Sequence, residues 1–165
     1  MHINVFIDSQ TLELTDDNGV LHRYSVSTAS KGTGQQEGSW QTPLGRHIIR
    51  AKIGDGCPLH TVFVSRRPTG EIFSSELQEN YPVRRDWILT RILWLSGTEV
   101  GFNRLGNVDT MRRYVYIHGS PDHATMGKPG SKGCIRMHGK DLIELFDRIQ
   151  AGISINIVNS REDIL

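Results

Sequence analysis

Only two cysteines occur in 165 residues, Cys57 and Cys134, too few for a disulfide framework. Both are read as free thiols, Cys57 as a loop or packing residue. The chain also lacks a charge excess: 19 basic residues stand against 18 acidic, a net charge of +1, which excludes the broad cationic footprint of a nucleic-acid binder. The pairs Arg66-Arg67, Arg84-Arg85 and Arg112-Arg113 are accordingly read as solvated surface pairs, with Arg112-Arg113 the best candidates for more. No window is apolar enough to cross a membrane. The opening MHINVFIDSQTLEL has no basic start, continuous apolar stretch or small-residue cleavage site, so no secretory signal is read and a cytoplasmic protein is expected. A periplasmic one is the alternative if a leader was trimmed. Repeats and linkers are missing too, which leaves one domain over residues 1–160 and a frayed tail over 161–165.

What is present is β patterning. Ile3, Val5 and Ile7 alternate with more polar residues, and Thr11 to Thr15, the turn Asp16-Asp17-Asn18-Gly19 and Val20 to Ser27 continue as a meander. Residues 28–45 are rich in Gly, Ser, Thr and Gln and read as a loop. Arg46 to Ile53, Leu59 to Ser65, Asp86 to Leu95, Tyr114 to His118 and Ile153 to Ile157 are further strands. Pro68 to Val83 reads as an excursion, at the rim of the cleft or simply on the surface, with at most one short helical turn around Ser74 to Glu79. One clear helix is predicted from Asp141 to Ala151, where Leu142, Ile143, Leu145, Phe146 and Ile149 form one apolar face. Asp141 is its expected cap, Glu144 takes the capping-box position, and Gly152 follows the end. The expected class is mainly β, a single-domain sandwich-like sheet with one well-formed helix near the C-terminus.

The chemistry lies between Tyr116 and Asp141, in YIHGSPDHATMGKPGSKGCIRMHGKD. His118 ends a strand-like run, and Cys134 follows 16 positions later in a Gly-rich turn. A free thiol near pKa ~8.5 is a few per cent ionised at neutral pH, and an adjacent imidazole raises that fraction. Gly133 permits a backbone a side chain would block, while Ser131, Lys132 and Arg136 put polar or cationic groups near the sulfur. The residues alone leave a reactive thiol and a packed one both open.

The segments IHGS and SKGCIRM, followed by KD and a helix, resemble the active-site signature of the L,D-transpeptidase (YkuD) family. The upstream GSWQTPLGRHIIRAKIGDGCP resembles the family's second block, with Thr42, Pro43, Leu44 and Gly45 at its core. The likeness runs from about Ile3 to Val158 and implies that loop 28–45 is ordered near the site. One position departs: the family commonly has Ser/Thr-His-Gly-Cys, and here Lys132 stands before Gly133.

The resemblance implies an acyl-enzyme acting on peptidoglycan stem tetrapeptides, at the bond between meso-diaminopimelate and D-Ala. In that scheme Cys134 is the nucleophile and His118 the base. Backbone N–H groups of Gly133-Cys134 hold the oxyanion, and Gly119 or Ser120 orients the imidazole. Arg136 holds the turn or binds a substrate carboxylate, and Ser131, Lys132 and Lys128 are weaker ligands for it. Carbapenem-type β-lactams are expected covalent inhibitors, and no cofactor is expected. Hydrolysis, an L,D-carboxypeptidase role in recycling, is expected ahead of cross-linking or exchange. Two rival readings are a zinc site drawn from His118, His123, Cys134 and His138, whose spacing fits no familiar pattern, and an inactive wall-binding module, which has no need of a nucleophile beside a base. His123 and His138, like His2, His22, His47 and His60, are otherwise read as surface residues or neighbours of the site.

Overall fold

The computed structural model describes residues 1–81 and 85–164; Arg84, and Pro82 and Val83 at the end of the expected excursion, lie outside them. Ten strands join one hydrogen-bonded sheet. They are β1 (His2–Phe6), β2 (Thr11–Asp16), β3 (Gly19–Ser25), β4 (Gly45–Ile53), β5 (Thr61–Val64), β6 (Arg67–Ile72), β7 (Ile88–Gly97), β8 (Tyr116–Ser120), β9 (Ile135–His138) and β10 (Ser154–Val158). Among the described residues there are also two α-helices, α1 (Ser75–Glu79) and α2 (Gly139–Arg148). The expected meander is present as antiparallel β1, β2 and β3. On its other edge β1 pairs in parallel with β10, which in turn pairs with β4.

β7 is the hub. One edge carries β4 along residues 92–97 and β5 at Ile88 and Leu89, while the other edge carries β8. Ten residues long and buried along most of its length, it has the near-continuous apolar run of a strand covered on both faces. β9 then adds to β8 in parallel, His118 opposite Arg136 and Ile117 opposite Ile135.

The sheet curls, and its concave side holds the main core. Ile3, Val5, Leu12, Leu14, Ile155 and Ile157 from one end meet Leu93, Leu95, Ile117, Ile135 and Met137 from the other, over Leu142, Leu145 and Phe146 of α2. The mainly β, sandwich-like fold is therefore made by one sheet folding over itself. On the opposite face of β7 and β8, the side chains of Ile92, Tyr116 and Phe63 form a smaller cluster with Trp94 and Cys134 at its margin. Period-two alternation thus sends Ile117 inward and Tyr116 and His118 outward.

Several local expectations are corrected. Helix α2 begins at Gly139, two residues earlier than expected, because β9 runs straight into it; its N-cap is His138, without a side-chain cap, and Asp141 lies in the first turn. A side chain at 139 would meet Leu59 and Thr90. Glu144 forms no capping box but turns to the β3 side chains, accepting from the Tyr24 hydroxyl at 3.0 Å and facing His22 Nδ1 at 3.2 Å. The helix stops at Arg148, where Lys52 Nζ donates to the carbonyls of Phe146 and Ile149, at 2.6 Å each. These bonds satisfy end carbonyls that a glycine cap otherwise leaves to water.

The excursion after Pro68 contains β6, whose polar sequence RPTGEI hides a hairpin arm, ahead of the short helix α1. Residues 160–164 are not frayed. Arg161 forms a two-pronged pair with the buried Glu13 carboxylate, at 2.6 and 3.1 Å, and Ser160 and Asp163 cap a 3-10 turn. Arg23 also donates to Glu13, and the two guanidiniums hold that carboxyl below its usual range against the opposing effect of burial. No helix is long and apolar enough to cross a membrane among the described residues.

Candidate active site

Parallel pairing of β8 with β9 settles which side chains share a face. Because Ile117 and Ile135 both enter the core, His118, Ser120, Arg136 and Cys134 project to the other side of the sheet. There Cys134 lines a cleft of about 640 Å³ with Trp40, Phe63, Arg66, Asp86, Arg113 and Tyr116 among its walls. A second cleft of about 400 Å³ meets the first at Asp86 and Lys132, and is lined by Ser120, His123 and Arg136.

The turn that presents Cys134 is held by two hydroxyls. Thr42 Oγ1 donates to the Gly133 carbonyl at 2.9 Å and accepts from the Ala29 N–H at 3.0 Å. Ser131 Oγ accepts from the Gly133 N–H at 3.2 Å and donates to the Cys134 carbonyl. Gly133 itself has φ +128°, a conformation open to glycine alone at low cost. The expected oxyanion pair is thereby reduced, since the Gly133 N–H is already taken. The Cys134 N–H has no partner among the described residues.

Cys134 is half-buried, and its sulfur accepts from the Tyr116 N–H at 3.3 Å and faces the Tyr114 carbonyl at 3.5 Å. Burial pushes the thiol up to about 12, ahead of the lowering effect of the Tyr116 amide and of Arg136 and Arg113. The expected effect of cationic neighbours is therefore overruled by desolvation.

His118 is wholly buried. Its Nδ1 lies 2.8 Å from the Gly119 carbonyl; because a carbonyl only accepts, Nδ1 carries the proton and Nε2 of the neutral ring presents a lone pair. Nε2 has no partner among the described residues, so the resting histidine and thiol are not hydrogen-bonded. Burial lowers the imidazole pKa from its ordinary value, which keeps the ring neutral. Gly119, not Ser120, orients it, and no side chain fits at 119, where a Cβ would stand 2.5 Å from the Leu89 carbonyl oxygen. The buried Ser120 hydroxyl is unpartnered among the described residues.

Arg136 is committed to structure, donating to Asp86 at 2.7 Å and to the Gly130 carbonyl at 3.0 Å. Of the arginine pairs read as surface, Arg66, Arg112 and Arg113 line the cleft of Cys134 and Arg85 lines the second. Arg113 donates to Gly34, Ser39 and Gln41, pinning loop 28–45 against the site. Trp40, Ser65, Arg66 and Tyr114 are four of the eight non-glycine residues with positive φ among the described residues, and all four line the cleft. Strain of this kind collects at functional sites; no glycine marks these positions, so sequence gave no sign of them. His47 is buried rather than superficial, bonded through both ring nitrogens to Gly45 and Thr110. No group of three His, Cys, Asp or Glu side chains able to hold a metal stands together among the described residues.

The match with known proteins covers almost the whole chain: the L,D-transpeptidase catalytic domain (YkuD) spans residues 1–157. The chain belongs to the L,D-transpeptidase (YkuD) family. It is similar to the protein YkuD of Bacillus subtilis (strain 168), 46% identical over 157 residues, which cover 94% of this chain and 65% of that relative. It thus spans less than two thirds of that protein's length. In fold it is similar to an L,D-transpeptidase from Mycobacterium smegmatis, with TM-score 0.56, 19% identity, and coverage of 94% of this chain and 57% of the other. L,D-transpeptidase 3 from Mycobacterium tuberculosis, solved with a faropenem-derived adduct, gives TM-score 0.55 and 13% identity, over 94% of this chain and 58% of the other.

Proposed function

We propose that this L,D-transpeptidase family member is a cysteine acyl-enzyme that cuts the meso-diaminopimelate–D-Ala bond of peptidoglycan stem tetrapeptides and passes the acyl group to water. The observation that carries the reading is the placement of Cys134. Its sulfur lies at the wall of an open cleft, on the same face as a neutral histidine whose tautomer is fixed by the Gly119 carbonyl.

The thiol first turns from the Tyr114 carbonyl and gives its proton to His118 Nε2. Sulfur then attacks the diaminopimelate carbonyl carbon, and the oxyanion takes up the free Cys134 N–H. The C–N bond breaks, the D-Ala amine receives the proton from the imidazolium, and a thioester remains. Water next attacks the thioester, its proton passes to Nε2, and the C–S bond breaks to restore the thiol. Burial that favours a neutral pair at rest confines charge separation to the occupied cleft.

Water is the favoured acceptor because the cleft that Cys134 lines is open, so a thioester there stays in reach of solvent. Turnover of soluble fragments in the cytoplasm is the setting proposed with it, and cell fractionation tests that part. A second reading, transfer to an amine of another stem or a D-amino acid, is favoured by the second cleft that joins the first at Asp86 and Lys132. Incubation with a disaccharide tetrapeptide, alone and with an added D-amino acid or second stem, separates them. Tripeptide as the main product in every case supports hydrolysis; exchange product or dimer as the main species overturns it.

A further inference from the structure

One cation in the cleft has no part in the chemistry above. Arg66 and Ser65 are the two loop residues of the β5–β6 hairpin, closed by the pair Val64–Arg67, and both have positive φ, +63° and +48°. Two-residue hairpins of this kind ordinarily use Asn-Gly, which accepts the left-handed backbone at little cost. Here a bulky cationic residue is held in that conformation instead.

What the strained turn achieves is the position of the guanidinium. Its carbon lies 4.9 Å from the ring centre of Trp94 and 4.9 Å from that of Tyr114, and Nη1 donates to the Tyr116 hydroxyl at 3.1 Å. Stacking and the single bond fix the plane while leaving most of its five N–H donors for a ligand. The other cations of the cleft are differently placed. Arg113 is spent on loop oxygens, whereas Arg112 and Lys132 are exposed and have no side-chain hydrogen bond among the described residues. Arg66 is the pre-organised one, and a planar, oriented guanidinium suits a carboxylate taken with two parallel bonds.

Tyr116 also measures how far this carboxylate lies from the reacting atom. The backbone N–H of Tyr116 donates to Cys134 Sγ and its hydroxyl accepts from Arg66. One tyrosine side chain therefore separates sulfur from guanidinium. A donor whose carbonyl is at the sulfur can reach Arg66 with the side chain of that same residue, and the three methylenes of meso-diaminopimelate lead to a centre that carries a second carboxylate beside an ammonium.

We propose that Arg66 recognises the free side-chain carboxylate of meso-diaminopimelate in the acyl donor, so that the Trp94–Arg66–Tyr114 stack selects donors by this acid group. The inference rests on the stem tetrapeptide being the donor. It goes further by assigning a specificity residue and the group it reads.

Titration calorimetry on the inert Cys134→Ala protein tests it. The probes are a stem tetrapeptide with the diaminopimelate carboxylate free and the same peptide with that carboxylate amidated, each bound to protein with Arg66, Arg66→Lys or Arg66→Gln. With Arg66, amidation should weaken binding about tenfold or more, as loss of a charge-assisted pair requires. In Arg66→Gln the two peptides should bind within about twofold of one another, with Arg66→Lys between. Arg66→Asn, which suits the left-handed turn, replaces Gln if thermal unfolding shows that Gln disturbs the fold. An equal amidation penalty with and without Arg66 overturns this inference alone. Failure of the free-carboxylate peptide to bind the Arg66 protein overturns both it and the choice of donor.

Discussion

Thr42 Oγ1 reaches across 91 positions of sequence to donate to the carbonyl of Gly133 at 2.9 Å. The same oxygen accepts from the Ala29 N–H, so one hydroxyl joins the loop of residues 28–45 to the turn that presents the sulfur. The Thr-Pro-x-Gly block and the Gly-Cys block are therefore two halves of one support.

Thr42→Val keeps the shape and removes both bonds. It should lower stability by about 1–3 kcal/mol, the cost of leaving a buried amide and carbonyl unpaired. Denaturant unfolding reads this loss, and acylation by a carbapenem, followed by intact-protein mass spectrometry, should slow in the same variant. Unchanged stability and rate would remove Thr42 from the support.

The carbapenem adduct should map to the peptide containing Cys134, and Cys57→Ala should form it at the wild-type rate while Cys134→Ala forms none. Peptide mapping after digestion decides between the two thiols. An adduct on Cys57 alone contradicts the assignment.

Burial of the Cys134 thiol gives a pH signature. Its pKa is raised from 9.0 to about 12, so the folded state favours the neutral thiol, and the unfolded chain ionises first as pH rises. The stability of the wild type should therefore fall relative to Cys134→Ala between about pH 9 and 12, with no such difference below. Resting Cys134 should also react with iodoacetamide at pH 7–8 more slowly than a free thiol of pKa ~8.5. A profile shifted to lower pH than a free thiol would show that the imidazole activates the resting sulfur.

At the acid end His47 and His118 act together. Burial lowers His47 to about 4 and His118 in the same direction. Both are neutral when folded, while the unfolded chain gains their protons first, so the stability they lend is complete above pH 6.5 and is lost as pH falls. For His47 the loss is on the order of 3 kcal/mol by pH 4. His47→Gln should flatten the fall in thermal midpoint over that window, and an unaltered slope would refute the assignment.

Gly119→Ala drives a Cβ to within 2.5 Å of the Leu89 carbonyl, backbone that cannot swing aside. The strand pair β7–β8 must shift, and with it the carbonyl that orients His118. A loss of more than about 2 kcal/mol is expected. The remaining folded protein should turn over tetrapeptide at a small fraction of the wild-type rate.

Strand alternation carried most of the fold because Ile3, Val5, Ile155 and Ile157 have one buried face each. It could not reveal that β1 and β10 lie side by side in parallel, since alternation states which face is buried and not which strand is the neighbour. β6 escaped because RPTGEI is an exposed hairpin arm with little apolar content, and β9 because four residues after a glycine turn give too short a period. Cys134 and His118 were legible through their motif as residues brought to one face of the sheet. The stack around Arg66 was not: Trp94, Tyr114 and Arg66 come from three separate segments, and only tertiary closeness makes them one feature. The cationic residues near Cys134 in sequence carry no information about desolvation, which raises the thiol's pKa in the folded chain.

The position of β10 also governs when the molecule can be assembled. It lies between β1 and β4 and joins the N-terminal meander to the rest of the sheet. During synthesis β1, β2 and β3 leave the ribosome early, yet the edge of β1 stays open until residues 154–158 have emerged. The cleft residues on β7 and β8 are made well before that closing strand. Folding should therefore be a late, whole-chain event with slow, long-range pairing, and nascent chains that stall before β10 should expose an unpaired edge to aggregation or chaperone capture.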